Sequence, residues 1–90
     1  MDAFIWKTND EILYDLSQRV KKIRKRRSLT QVDLSVISGV SHGSIKRFEN
    51  TGEISLYSLT KIARALDCIQ EIENLFTTVE YKDIEEILNE

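Results

Sequence analysis

The chain contains no proline and only three glycines among its 90 residues. Proline breaks helices and glycine weakens them, so their scarcity leaves long stretches open to helix formation. A single cysteine, Cys68, excludes an intrachain disulfide, and no second thiol or histidine lies near it in sequence to form a zinc site. We therefore expect an all-α fold without a metal, in which Cys68 packs as an apolar residue at a helix end.

Long apolar segments are also missing. No stretch approaches the length of a membrane span, and residues 1–9 lack the basic start and apolar run of a signal peptide. We therefore expect the protein to act in the cytoplasm and not at a membrane. The single histidine has no partner residues in a recognisable catalytic pattern, and no glycine-rich phosphate loop is present. The sequence thus predicts neither an enzyme nor a bound cofactor.

The net charge of −2 conceals a difference between the two parts of the chain. Residues 1–66 hold twelve Lys and Arg against seven Asp and Glu, whereas residues 67–90 hold one Lys against eight acidic residues. A basic part suits a polyanion such as nucleic acid, and an acidic part suits a partner protein or plain solubility. The basic face of the first predicted helix is either a solvated surface or a source of long-range attraction for DNA. It carries Arg19, Lys21, Lys22, Lys25 and Arg26.

Apolar residues at three- and four-residue spacing predict helices joined by short turns. The predicted ranges are 10–27, 31–38, 42–50, 56–66 and 70–76. The apolar stripe of the first helix is Ile12, Leu13, Leu16, Val20 and Ile23, and that of the fourth is Leu56, Leu59, Ile62, Ala63 and Leu66. Residues 77–81 have strand-like preference without a partner strand, and residues 83–88 are predicted as a short acidic helix. The sequence therefore predicts an N-terminal lead at 1–9, one domain at 10–76 and an acidic C-terminal extension at 77–90.

The second and third predicted helices meet at Gly39-Val40-Ser41. Glycine adopts the positive φ that ends a helix, the valine fills the corner, and the serine caps the next helix, as Thr30 and Ser55 cap theirs. Asn9 or Asp10 is expected to cap the first helix. The third helix has apolar Ile45 and Phe48, with Ser44 and Glu49 expected near the buried side. The residues expected to face outward are His42, Gly43, Lys46, Arg47 and Asn50. Two helices in this arrangement, with small and polar residues leading the second, fit the major groove of DNA.

These residues resemble a known family. Leu29-Thr30-Gln31, Leu34, Ser38-Gly39-Val40-Ser41, Ser44-Ile45 and Phe48-Glu49 are similar to the XRE/Cro, lambda-repressor-like helix-turn-helix family over about residues 16–76. The stretches 48–56 and 62–66 look like its HipB-like antitoxin and regulator branch. The resemblance implies a five-helix domain that binds operator DNA as a homodimer and acts as a transcriptional regulator, with repression expected. It also implies an antitoxin role in a toxin–antitoxin operon, with a toxin as protein partner.

The resemblance also implies roles for individual residues. Gln31 matches the family glutamine that holds a phosphate and braces the recognition helix. His42, Gly43 and Arg47 match base-reading positions, while Ser44 matches a position that contacts or lies beside the DNA backbone. The full set of predicted DNA-binding residues is Gln31, Ser41, His42, Gly43, Ser44, Lys46, Arg47 and Asn50, where Asn50 shares the role of Ser44.

Arg24 and Glu49 match a partly buried ion pair of the family that ties the first helix to the third, so their implied role is structural. Two other positions depart from the family pattern. Ser35 stands where alanine is usual, and Gly43 lacks a side chain where relatives often carry a base-contacting group. Readout is therefore expected to rest on fewer side chains.

The remaining groups have distinct chemistry. Arg47 has the donors to pair with guanine O6 and N7, and Lys46 suits a phosphate better than a base. For His42 two interpretations stay open: contact with a base or a phosphate, or a solvated histidine at a helix end.

Partner surfaces are less defined by the sequence. The dimer contact is expected at the surplus apolar side of the fifth helix around Leu75 and Phe76, or at the N-terminal Phe4, Ile5 and Trp6. An alternative function also stays open, in which the chain is an adaptor or antitoxin that binds a partner protein through its acidic extension and DNA binding is secondary.

Overall fold

The computed structural model describes residues 6–78 and 84–89, which form α-helices and no strand. The helices are α1 (Asn9–Arg26), α2 (Gln31–Ser38), α3 (His42–Thr51), α4 (Leu56–Ala65), α5 (Ile69–Glu73) and α6 (Ile84–Leu88). The predicted all-helical domain is confirmed as α1 to α5, and α6 lies in the acidic extension. Thr77 and Thr78 are irregular and not strand-like, and residues 79–81 lie outside the described residues. Within the described ranges, no helix is long and apolar enough to cross a membrane.

Each of the first four helices begins at a hydroxyl side chain that accepts a backbone N–H, a donor that the helix itself leaves unpaired. The N-cap residues are Thr8, Thr30, Ser41 and Ser55. The prediction that Asn9 or Asp10 caps α1 is wrong. Thr8 takes that position because Glu11 completes a capping box with it, its carboxylate accepting the Thr8 backbone N–H at 2.8 Å.

The core forms where α2, α3 and α4 meet the C-terminal half of α1. Its buried apolar side chains are Leu34, Val40, Ile45, Phe48, Leu59, Ile62 and Leu66, and Leu16, Val20 and Ile23 of α1 pack against them. Burial of each large apolar side chain stabilises the fold by about 1.5–3 kcal/mol. This cluster accordingly fixes how α3 sits in the domain.

The apolar stripe predicted on α1 is only partly confirmed, because Ile12 and Leu13 remain 50% and 42% exposed. At 18 residues, α1 is about 27 Å long, whereas no other described helix is longer than 10 residues. Leu56, expected on the buried stripe of α4, is likewise exposed in the first turn of that helix. Both errors lie at helix starts that extend beyond the core.

Two glycines end the helices around the site with left-handed backbone conformations. Gly39 follows α2 at φ 76°, as predicted, and Gly52 follows α3 at φ 86°. A Cβ on Gly52 would lie 2.5 Å from the carbonyl carbon of Leu13, whereas a Cβ on Gly39 would meet nothing within 4 Å. The end of α3 therefore lies directly against the α1 backbone.

The fifth helix ends earlier than predicted. It stops at Glu73, and Phe76 adopts a φ of 57°, a left-handed conformation incompatible with a continuing helix. Leu75 is half exposed and Phe76 is 96% exposed, so both lie on the surface of the domain. Cys68 precedes α5 and packs partly buried against the core, as expected for a structural residue at a helix end.

Candidate nucleic-acid interface

The turn between α2 and α3 holds the two helices in a fixed relation. Gly39 donates its backbone N–H to the Ser35 carbonyl at 3.0 Å, and Val40 is buried in the corner. The Ser41 hydroxyl accepts the backbone N–H of Ser44 at 3.1 Å and thereby begins α3. The predicted turn is confirmed, and it leaves the first turn of α3 on the surface.

The outer face of α3, defined as His42, Gly43, Ser44, Lys46, Arg47 and Asn50, is exposed along its whole length. The inner face is buried through Ile45 and Phe48, which are at most 1% exposed. The expectation that Ser44 lies near the buried side is wrong, because one residue turns the helix by about 100° away from Ile45. The structure thus gives these six residues the accessibility that groove reading requires, and their contact with DNA stays a prediction.

Behind α3 lies an ion pair with little access to water. Arg24 donates from Nε to Glu49 Oε2 at 2.7 Å and from Nη2 to Glu49 Oε1 at 2.8 Å. The side chains are 7% and 2% exposed, and Arg24 Nη1 also donates to the Leu29 carbonyl at 2.7 Å. The implied pair between α1 and α3 is confirmed and also holds the chain between α1 and α2. Removal of one member of such a pair typically costs about 3–5 kcal/mol, since the other charge is left buried.

The charge state of Glu49 follows from its surroundings. Burial raises the pKa of the Glu49 carboxyl, but hydrogen bonds from Arg24 and Gln31 and the positive charges of Arg24 and Lys21 outweigh it. The pKa therefore lies below its usual value of 4.5. Glu49 is ionised at neutral pH and accepts hydrogen bonds only.

Gln31 connects this ion pair to the start of α3. Its Nε2 donates to Glu49 Oε1 at 2.9 Å, and its Oε1 lies 3.2 Å from His42 Nε2. Because an amide oxygen only accepts, the proton in the second bond belongs to His42 Nε2. We call Arg24, Glu49, Gln31 and His42 the brace. It runs from the buried ion pair to the leading edge of the outer face, which is the position that a bracing role of Gln31 requires.

Two groups of the brace remain available for hydrogen bonds to a ligand. Gln31 Nε2 carries a second hydrogen that the bond to Glu49 does not use, which suits a phosphate oxygen. His42 Nδ1 is the ring nitrogen outside the bond to Gln31. It accepts a hydrogen bond when the ring is neutral and donates one when the ring is charged. The leading edge of the outer face therefore presents the His42 Nδ1 atom, and Gln31 beside it presents one amide donor.

Arg47 lies farther along the outer face and is already paired. Its Nη2 donates to Glu53 Oε2 at 2.6 Å, with both side chains more than half exposed. Glu53 is not among the residues predicted from the sequence, because its six-residue separation from Arg47 crosses the end of α3 and is not a helical spacing. A carboxylate placed after the glycine that ends a recognition helix is the signal that would have identified it.

Asn50 is the predicted site residue that the structure separates from the others. Eight residues after His42, it lies about 12 Å farther along the helix. It lines a hollow with Lys7, Asp10, Glu11, Tyr14, Asp15 and Thr51, at the start of α1. Acidic side chains there disfavour a phosphate, so the geometry gives Asn50 the least support of the predicted residues.

A basic surface of α1 lies next to a contact between α1 and α3. Gln18, Lys21, Lys22, Lys25 and Arg26 line one open hollow, and Gln18 Nε2 donates to the backbone carbonyl of Glu49 in α3 at 2.7 Å. We call Lys21, Lys22, Lys25 and Arg26 the α1 basic cluster. Its position beside α3 matches the electrostatics of a DNA-binding surface.

Comparison with known proteins agrees with this geometry. The family model described as helix-turn-helix matches residues 20–74, a range that contains the brace, the turn and all of α3. The chain therefore belongs to the XRE-type helix-turn-helix family, whose members are DNA-binding domains and not enzymes. A search of curated proteins finds no match to the chain.

Proposed function

We propose that the protein is a sequence-specific transcriptional regulator, acting as a repressor, that reads operator DNA with the outer face of α3. One observation carries the proposal: α3 exposes a polar, partly basic face while the buried Arg24–Glu49 pair and Gln31 hold it from behind. Side chains that read base edges need such support, because small displacements break the hydrogen-bond geometry that distinguishes bases.

The hydrogen-bonding groups of each side chain on and beside the outer face determine its proposed contact with DNA. Arg47 pairs with guanine O6 and N7. His42 Nδ1 accepts a hydrogen bond from the adjacent base when the ring is neutral, or donates one to a phosphate when the ring is charged. Lys46, Ser41, Ser44 and the second N–H of Gln31 bind phosphates, which position the helix without reading sequence. Gly43 allows close approach of α3 to the groove, since it carries no side chain. The α1 basic cluster adds attraction to the duplex.

One domain of this size makes a small DNA interface, and a two-fold dimer doubles it by reading half-sites about 34 Å apart. We propose that the chain binds DNA as a homodimer. The strongly exposed Leu75 and Phe76 after α5 favour this end of the domain as the contact surface. Trp6, 82% exposed, supports the N-terminal alternative, and Phe4 and Ile5 lie outside the described residues.

A second candidate function rests on the acidic C-terminal part. The segment 67–90 carries eight acidic residues against one Lys and includes the exposed Leu75 and Phe76. Exposed apolar residues within an acidic segment suit a protein partner. As a HipB-like antitoxin, the chain would bind a toxin there and its operator through α3. As an adaptor, it would use this surface alone.

A salt titration distinguishes the two candidates. Duplexes are selected from random DNA with the full chain, and binding is measured by fluorescence anisotropy from 50 to 300 mM salt. A regulator that contacts about six phosphates should lose roughly a thousandfold in affinity between about 50 and 200 mM salt. Selection that yields no shared sequence, with weak and salt-independent binding, would leave the adaptor function and contradict the regulator.

A further inference from the structure

We infer that Glu53 is a specificity-determining residue, which directs the Arg47 guanidinium toward a base edge and disfavours its contact with phosphates. This inference rests on the proposed function, because it assigns a role to Glu53 within the same interface. Its basis is a pair of connections between Arg47 and Glu53, one through the side chains and one through the backbone.

The side-chain connection is the 2.6 Å bond from Arg47 Nη2 to Glu53 Oε2. The backbone connection passes through Thr51, whose hydroxyl donates to the Arg47 carbonyl at 2.8 Å and accepts the backbone N–H of Glu53 at 3.1 Å. Gly52 reverses the chain between them in the left-handed region. Glu53 is thus held in place relative to α3 and is not a distant side chain that happens to reach Arg47.

A contribution to the stability of the fold does not explain the pairing of Arg47 with Glu53. The Arg47 and Glu53 side chains are 67% and 56% exposed, and an ion pair so accessible to water contributes at most about 1 kcal/mol. The long arginine side chain has many rotamers in water, and a fixed carboxylate reduces them before DNA arrives. The effect of Glu53 is therefore on where the guanidinium points.

The remaining donors of Arg47 fit base reading. A guanidinium carries five N–H groups in one plane, so the bond from Nη2 to Glu53 leaves others for guanine O6 and N7. The negative charge of Glu53 repels the phosphates that a free Arg47 would otherwise contact on any sequence. Glu53 thereby favours selected sites and weakens binding elsewhere.

The test compares Glu53→Gln with wild type on the duplex selected from random DNA and on a scrambled duplex. We expect the ratio of the two affinities to fall about fivefold, the scale of an exposed ion pair, mainly through tighter binding to the scrambled duplex. The salt slope on the scrambled duplex should steepen by about 0.9, which corresponds to one added phosphate contact. The thermal midpoint should change little.

Two controls distinguish the orienting effect of Glu53 on Arg47 from the loss of one negative charge alone. Glu85→Gln removes the same charge from an exposed residue of α6 and should leave the ratio unchanged. In an Arg47→Ala background, Glu53→Gln should no longer lower the ratio. An unchanged ratio in the single variant, or an equal fall with Arg47 absent, overturns the role of Glu53. The proposed function fails separately, if wild type itself does not distinguish the two duplexes.

Discussion

Helix α3 has an ion pair on each side, and the two pairs have similar shortest N–O distances but very different access to water. Arg24–Glu49 on the inner side and Arg47–Glu53 on the outer side have N–O distances of 2.7 and 2.6 Å. The inner side chains are at most 7% exposed, whereas the outer ones are at least 56% exposed. An unpaired charge lowers the stability of the fold strongly when it is buried and only slightly when it is exposed to water. The inner pair therefore serves the fold, and the outer pair is free to serve recognition.

Breaking each pair in turn gives the largest expected contrast. Arg24→Ala should lower the free energy of unfolding by about 3–5 kcal/mol, since Glu49 is left charged and buried. Arg47→Ala should change it by less than about 1 kcal/mol. Urea unfolding followed by circular dichroism measures both. The double variant Arg24→Met/Glu49→Leu should recover much of the loss, and equal losses from the two single variants would refute the distinction between the pairs.

Two glycines test the same difference between the inner and outer sides of α3 without a change of charge. Gly43 lies within α3, and Gly52 follows it directly. Gly52→Ala should cost about 3 kcal/mol, because a left-handed conformation and contact with the Leu13 backbone both oppose a Cβ. Gly43→Ala should stabilise α3 by less than about 1 kcal/mol, since its Cβ would meet open space in the first turn of the helix. Thermal unfolding of the two variants checks the signs. A destabilising alanine at position 43 would contradict an exposed outer face.

The outer pair should have its main effect on DNA. If Arg47 reads guanine, Arg47→Ala should reduce discrimination between the selected duplex and a scrambled one by about 1–3 kcal/mol, or roughly 5- to 150-fold. Lys46→Ala is the neighbouring control and should weaken both duplexes alike, with a shallower salt slope. Competition binding at fixed salt measures the ratio. Parallel losses for Arg47→Ala on the two duplexes would make Arg47 a phosphate contact.

Acid should weaken the inner pair. The pKa of Glu49 is lowered in the folded protein, so its contribution to stability is complete above the usual value of 4.5 and is lost as pH falls through the folded value. Lowered pKa values of Glu11 and Asp33, caused mainly by hydrogen bonds from Thr8 and Thr30, act in the same direction. Urea unfolding between pH 7 and 3 should show a steeper decline for wild type than for Glu49→Gln. Parallel declines would show that Glu49 is not the responsible group.

Much of the fold was predictable because its signals are local. Gly39 and the hydroxyls of Thr30, Ser41 and Ser55 mark helix ends through bonds within a few residues, and the structure confirms all four. Where several capping residues adjoin, as at the start of α1, the choice depends on which one has an acidic partner three residues later. The exposure of Ile12 and Leu13 depends on the length of α1 relative to the neighbouring helices. The spacing of apolar residues gives no information about that relation.

The site was predicted less completely because it depends on contacts between elements. Spacing on α3 gave the outward orientation of His42 and Arg47, and the family resemblance gave the pairing of Arg24 with Glu49. Neither source gave the bond from Gln31 to His42, which sets the tautomer of the histidine, or the bond from Arg47 to Glu53. Both bonds cross helix ends, where small changes in turn geometry decide which side chains meet.

Contact between the outer face of α3 and DNA is tested most directly by the amide chemical shifts of the protein. Isotope-labelled protein is titrated with the selected duplex, and shift changes are followed residue by residue. We predict the largest changes at Gln31 and across Ser41 to Arg47, with smaller changes at Asn50. Undisturbed amides from Ser41 to Arg47 with saturating DNA would contradict this contact.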